Sequence, residues 1–318
     1  MPTGLFRQVL YRSDNKTNKI PDFITIAVLC ATAAAMVVVN LPFFKSLSVK
    51  PAYFLRPELY FYGLLVLWIA DFVCSLNAKL KKYCAPLNFL LVLVLGYLIS
   101  EMVYRYSPPM LPAYFFQLAG AKGGAHLSAF FMHRVLQIFP LVLMVSLILI
   151  YGGRFPGYLR FGDLSVKTDI LNRSNPQSWS AVLLRFGIYL FSVLGILTIL
   201  SRKTASTGGI DTALILPILL YALWNCFVEE TIFRGVLLPV FGETFGDTYG
   251  NLVQAVLFGI IHISPVSIAT SVLRMVIFTF LGWFFGKAVK QTGGIGTSWV
   301  MHVLIIIAIE LRIMIASL

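Results

Sequence analysis

Ionisable residues that could carry out chemistry are concentrated on three apolar stretches in the second half of this 318-residue chain. Glu229, Glu230 and Arg234 lie in the first stretch, His262 ends the second, and His302 lies in the third. A charged side chain at the centre of a bilayer costs about 2.5–3.5 kcal/mol on insertion scales, so these residues are functional candidates. Carboxylates beside imidazoles are groups that accept and donate protons, and the cluster therefore predicts general acid–base chemistry.

Helical spacing predicts different roles for the two adjacent glutamates. Glu230 precedes Arg234 by four residues, one α-helical turn, and this order favours an ion pair that braces the helix. Glu229 is rotated by about 100° from Glu230 and shares its face with Asn225, four residues earlier. We therefore expect Glu229 to be the carboxylate that acts as a base, with the His262 imidazole as its neighbour.

The composition is that of an integral membrane protein. Hydrophobic residues make up 58% of the chain and charged residues 12%, against roughly 25% charged residues in soluble domains. The net charge is +12, but the basic residues lie mostly in short linkers, so lipid headgroups are predicted as partners and nucleic acid is not. The four cysteines show no paired spacing, which argues against a disulfide framework or a zinc knuckle.

Apolar runs of about 20 residues predict an all-α fold, a polytopic bundle of eight or nine transmembrane helices. The span between 249 and 264 and the next one are separated only by Ser264 and Pro265, so they could form one broken element. The expected spans are 23–44, 58–77, 86–105, 127–151, 180–201, 212–240, 249–264, 266–288 and 297–317.

The linkers predict the orientation and the domain organisation. Lys and Arg are more frequent in the linkers on the side of the N-terminus, which places that terminus in the cytoplasm. We expect a cytoplasmic segment at 1–22, N-terminal transmembrane helices at 23–151 and a functional core at 152–318. The polar stretch from 152 to 178 is interpreted as an amphipathic surface segment on the cytoplasmic side.

Two sequence motifs resemble those of the CPBP family of intramembrane proteases, also called the Abi or CAAX-protease family. The family's first motif, two glutamates followed by three residues and an arginine, corresponds to Glu229, Glu230 and Arg234. Its second motif, Phe-x-x-x-His, corresponds to Phe258 and His262. The resemblance covers roughly residues 170 to 310, which implies a CPBP-like core in the second half of the chain.

The third motif of the family is present only in half. It is a histidine followed four residues later by Asn or a similar polar group, and here His302 is followed by Ile306. Because a hydrogen-bond donor is then missing, Asn225 is the first candidate to replace it at the oxyanion.

The resemblance implies hydrolysis of a peptide bond within the membrane, on a membrane-associated protein or peptide. Carried over to this sequence, the family's scheme has Glu229 and His262 activate a water. Glu230 and Arg234 brace the helix, and His302 donates a hydrogen bond to the developing oxyanion.

Two further residues are candidate contacts. Phe258 lies one turn before His262 and could pack on the same face, which would fix the imidazole ring. Arg274 could bind a substrate carboxylate or a lipid phosphate, or it could extend to the membrane surface or bond to backbone carbonyls.

No cofactor is expected, although zinc held by Glu229, His262 and His302 stays an alternative to a metal-free mechanism. No His-Glu-x-x-His pair is present. The alternative functions are a non-catalytic CPBP-like membrane scaffold or immunity protein, and an ion-coupled transporter with broken helices. The two motifs and the lack of an internal repeat favour the protease.

Overall fold

The computed structural model describes residues 57–106, 135–150, 157–170, 174–201, 215–263 and 268–316, and these residues are mostly helical. A short 3₁₀ turn, Lys81–Tyr83, precedes the second helix, and a π-helical segment, Thr231–Leu237, follows the fifth. The α-helices are α1 (Pro57–Leu76), α2 (Cys84–Tyr106), α3 (Ile138–Ile150), α4 (Trp179–Ser201), α5 (Ile215–Glu230), α6 (Leu238–Phe245), α7 (Asp247–Ile260), α8 (Ile268–Thr292) and α9 (Gly296–Ala316).

The apolar helices are those of an integral membrane protein. Within the described ranges, the stretches Lys81–Tyr104, Trp179–Leu197 and Ala269–Thr292 are long and apolar enough to cross a bilayer. Shorter apolar helices cover Tyr60–Leu76, Ile138–Ile150 and Gly296–Leu311. The predicted count of eight or nine spans is not confirmed, and the predicted span at 23–44 lies outside the described residues. The cytoplasmic location of the N-terminus stays a prediction.

The chain divides into two compact units that alternate along the sequence. The first unit takes residues up to Tyr106, Leu136–Leu159 and Thr231–Lys287, and the second takes Ser107–Val135, Arg160–Glu230 and Ala288–Leu318. The predicted division into 1–22, 23–151 and 152–318 stays a prediction.

In the first unit, glycines let α7 and α8 approach closely. A Cβ on Gly282 would lie 2.9 Å from the Ala255 Cα, and one on Gly286 would overlap the Asn251 amide oxygen. The close approach allows buried amide side chains of α7 to bond to the α8 backbone: Gln254 Nε2 donates to the Gly282 carbonyl at 2.9 Å. These bonds hold α7, which ends next to His262, firmly against α8.

In the second unit, α9 packs against α4 and α5. The Trp299 indole on α9 donates from Nε1 to the Leu223 carbonyl of α5 at 3.1 Å, and its ring meets Phe227 edge-on. These contacts fix how far α9 is shifted along α5, and thereby place His302, one turn after Trp299.

The stretch from 152 to 178, predicted as an amphipathic surface segment, contains no helix in its described part, where most side chains are exposed or half-buried. In its described part, Lys167–Thr168 and Gln177–Ser178 form a small antiparallel sheet, the one departure from the all-α class among the described residues. Arg160 Nε donates to the Gly293 carbonyl at 2.6 Å, and the Gly296 amide donates to the Phe161 carbonyl at 3.0 Å. The segment is therefore held by hydrogen bonds to the turn between α8 and α9.

The predicted single helix at 212–240 is interrupted by the π-helical segment. Immediately after Glu230 the backbone changes to π-helical geometry over seven residues, and all seven are buried. A π-helix bonds residue i to i+5, and such segments occur frequently at functional sites. The α-helical spacing assumed between Glu230 and Arg234 was therefore wrong for this part of the helix.

Candidate active site

The structure brings Glu229, Glu230 and His302 together in the second unit. His302 Nδ1 lies 3.0 Å from Glu230 Oε1, and His302 Nε2 lies 3.8 Å from Glu229 Oε2. The exposed fractions of the three residues are 2%, 0% and 1% respectively. One imidazole from α9 thus lies between two adjacent carboxylates from the end of α5.

The bond to Glu230 determines which nitrogen of His302 carries a proton. A carboxylate can only accept, so Nδ1 donates, and a neutral ring then has its lone pair on Nε2. The contact with Glu229 is attractive only if a proton lies on Nε2 or on the Glu229 carboxyl. The arrangement can therefore hold one proton between His302 and Glu229, which is what a general acid–base site needs.

Cys226 is a neighbour of this site that the sequence reasoning missed. Its thiol is fully buried and lies close to the His302 side chain. It also packs in an apolar cluster with Ala222 and Val303. Its position in the sequence could have indicated this, since Cys226 lies four residues before Glu230 and therefore on the same face of α5.

The candidate oxyanion residue Asn225 lies one helical turn before Glu229 on α5 and is buried, with 2% of its surface exposed. Within the described part of the chain its amide oxygen has no hydrogen-bond partner. An amide can turn to present either its oxygen or its NH₂ group, so Asn225 can offer a donor or an acceptor. Ile306, by contrast, packs against the apolar cluster of Ala222, Cys226 and Val303.

His262 and Phe258 lie together in the first unit, as the sequence predicted. His262 follows the last residue of α7, and its Nδ1 lies 2.7 Å from the Phe258 carbonyl. A carbonyl can only accept, so Nδ1 donates and the lone pair of a neutral ring is on Nε2. The Phe258 ring is 4.6 Å from the imidazole, and the Phe278 ring on α8 stacks on it at 3.8 Å.

Arg234 is fully buried in the first unit among aromatic rings. Its guanidinium carbon lies 4.1 Å from the Phe258 ring centre, 5.3 Å from that of Phe285 and 5.9 Å from that of Phe233. Its Nη2 also donates to the Gly282 carbonyl, at the long distance of 3.5 Å. A desolvated cation–π contact contributes about 2 kcal/mol or more, so Phe258 holds the arginine of the first motif as well as the histidine of the second.

Arg274 does not share these surroundings. Its side chain is exposed on α8, next to the exposed apolar residues Leu273 and Val276. This position favours the alternative in which Arg274 faces lipid and extends towards the headgroups.

The predicted pairs Glu230–Arg234 and Glu229–His262 each combine one residue from either unit, and both stay predictions. In the described parts of the chain, no group of three or more His, Cys, Asp and Glu residues is arranged to hold a metal ion. The metal-free mechanism stays a prediction, and the zinc set of Glu229, His262 and His302 stays its alternative.

The comparison with known families agrees with the two motifs. Residues 211–307 match the model of the family described as Type II CAAX prenyl endopeptidase Rce1-like. No curated protein and no solved structure gives a significant match to the chain. The matched segment contains every candidate site residue from Asn225 to His302. This match supports the assignment to the CPBP family of CAAX proteases that the motifs indicated.

Proposed function

We propose that this protein is an intramembrane endopeptidase that cleaves a membrane-associated protein or peptide near its C-terminal or membrane-proximal part. The observation that carries the proposal is the buried arrangement of Glu229, His302 and Glu230, with distances of 3.8 and 3.0 Å from the imidazole to the carboxylates. Burying two carboxylates and an imidazole is costly, and their retention in an apolar helix bundle is explained if they do chemistry. The family match supports a peptide hydrolase.

In the proposed reaction, Glu229 and His262 activate a water that attacks the scissile carbonyl. His262 suits this role because its Nδ1 donates to the Phe258 carbonyl at 2.7 Å, which leaves the lone pair on Nε2. Glu229 accepts a proton from the water and passes it to the leaving amine, so that the carboxylate is regenerated when the peptide bond breaks.

The negative charge on the tetrahedral intermediate needs hydrogen-bond donors. His302 supplies one when Nε2 is protonated, and Glu230 holds its ring in place through Nδ1. Asn225 supplies the second donor, since it lies one helical turn before Glu229 and its amide can turn to present the NH₂ group. Ile306 cannot replace it because its side chain is apolar and packs in a hydrophobic cluster.

The proposal is tested with the full chain in proteoliposomes and two internally quenched peptides that end in a CAAX sequence, one prenylated and one not. Glu229→Gln should lower the cleavage rate by at least about 100-fold, the usual contribution of a general base, while the protein still folds. Glu101→Gln is the matched control, because Glu101 on α2 is also a buried carboxylate in an apolar helix, 1% exposed.

The two peptides separate the substrate classes. Cleavage of the prenylated peptide alone indicates recognition of the lipid, and cleavage of both indicates recognition of the peptide end. If Glu229→Gln cleaves at the parental rate, the mechanism is wrong. If no peptide is cleaved and the membrane proteomes of the parent and Glu229→Gln show the same C-termini, the non-catalytic scaffold is the better description.

A further inference from the structure

Phe278 forms the closest ring stacking among the described residues around the candidate site, and it lies outside both motifs. Its ring centre is 3.8 Å from that of His262, and the two planes differ by only 10°. The Phe258 ring is 4.6 Å from the imidazole at an angle of 54°, and it lies 6.1 Å from Phe278. All three residues belong to the first unit.

His262 needs such support because it lies beyond the last residue of its helix. Helix α7 ends at Ile260, and His262 lies in the turn that follows, with a partly exposed side chain. The bond from Nδ1 to the Phe258 carbonyl fixes the position of one ring atom, at 2.7 Å. That bond alone does not define the plane of the ring, whereas a flat partner stacked against one face does.

We propose that Phe278 is a positioning residue, which fixes the plane of the His262 imidazole and thereby the direction of the Nε2 lone pair. The inference rests on the proposed function in giving His262 a catalytic role. The Nδ1 contact and the stacked face together define both the position and the plane of the ring. Misplacing a reacting group by about 1 Å costs up to about 100-fold in rate, so loss of the stack should be visible in turnover.

Two substitutions separate the flat ring from the volume it fills. Phe278→Tyr keeps an aromatic face, whereas Phe278→Leu keeps an apolar side chain without one. Phe280→Leu is the matched control, since Phe280 lies two residues further along α8, is 59% exposed, and has ring contacts with Trp283 and Phe284. We expect Phe278→Leu to lower kcat by roughly 10- to 100-fold with KM nearly unchanged. Phe278→Tyr and Phe280→Leu should stay within about threefold of the parent.

A second measurement does not depend on cleavage. The chain has four histidines, so in protein labelled at histidine the His262 ring signals can be assigned by their loss in His262→Gln. A stacked phenyl ring shifts the imidazole proton signals upfield in the parent and in Phe278→Tyr. Phe278→Leu should remove most of this shift and leave the smaller effect of the tilted Phe258 ring.

The two readouts fail separately. If the parent shows no upfield shift, or if Phe278→Leu retains it, the positioning role is overturned. It is also overturned if Phe278→Leu cleaves at the parental rate while His262→Gln does not. If the shift is present and is lost in Phe278→Leu while His262→Gln still cleaves normally, Phe278 does fix the ring, and it is the catalytic role of His262 that fails.

Discussion

The pair of Glu230 and His302 should contribute strongly to stability as well as to catalysis, and a double-mutant cycle measures its share. His302 Nδ1 donates to Glu230 Oε1 at 3.0 Å, and both side chains are almost completely buried. A hydrogen bond to a charged group contributes about 1.5–3 kcal/mol. Breaking a buried ionic pair by removing one partner costs about 3–5 kcal/mol, because the other partner is left uncompensated.

The cycle compares the parent, Glu230→Ala, His302→Ala and the double variant by denaturant titration in detergent micelles. Each single variant should lose about 3–5 kcal/mol of unfolding free energy, and the coupling between them should be about 1.5–3 kcal/mol. The double-mutant cycle is needed because both residues have other neighbours, such as the Cys226 thiol beside His302. It isolates the pair from these contacts.

Glu230→Gln provides an internal check. The glutamine keeps an oxygen that accepts from Nδ1, but a neutral bond is roughly half as strong as a charge-assisted one. Its stability should lie between those of the parent and Glu230→Ala. A coupling energy below about 0.5 kcal/mol would mean that the two residues act independently, and Glu230 would then not hold the His302 ring.

The other predictions concern the second donor, the metal and the topology. Asn225→Ala should lower turnover by about 100- to 1000-fold, nearly as much as His302→Ala. Parental turnover in Asn225→Ala would mean that Asn225 has only a structural role. Ile306→Asn should mainly lower the melting temperature, because Ile306 packs in an apolar cluster. Prolonged treatment with a strong chelator should leave activity unchanged, and stoichiometric zinc by elemental analysis, with activity lost on its removal, would contradict this. A cysteine introduced by Gly157→Cys, where a Cβ meets no atom within 4 Å, should be labelled by an impermeant reagent only after the cells are opened, and labelling of intact cells would invert the topology.

Hydropathy predicted the described helices well because burial in lipid depends on local composition. The expected spans at 58–77 and 180–201 correspond to Pro57–Leu76 and Trp179–Ser201. The end of the seventh span was placed four residues too late, at 264 instead of Ile260, because apolar residues continue beyond the helix. Local composition predicts which stretches of the chain are apolar, but it does not predict the residue at which a helix ends.

Two local features could not be predicted because their causes are distant or invisible in the residue types. Arg160 and Phe161 are hydrogen-bonded to the turn between α8 and α9, more than 130 residues further along the chain. Contacts with such distant residues leave no repeating pattern in the sequence of the polar segment. The π-helical segment Thr231–Leu237 consists of residues that are equally compatible with an α-helix, apart from Gly235. Only the packing around it distinguishes the two geometries.

The candidate site illustrates how far spacing along one helix can lead. The sequence predicted that Glu229 and Glu230 face different directions. In the structure both carboxylates lie next to the His302 imidazole, which has one ring nitrogen towards each of them. Which histidine lies there depends on the register of α9 on α5, which the bond from Trp299 to the Leu223 carbonyl holds. A shift of α9 by one residue would rotate His302 by about 100° away from the glutamates. The chemistry of the site is therefore determined by a contact between two helices whose residues are far apart in the sequence, and no motif read from either helix alone contains it.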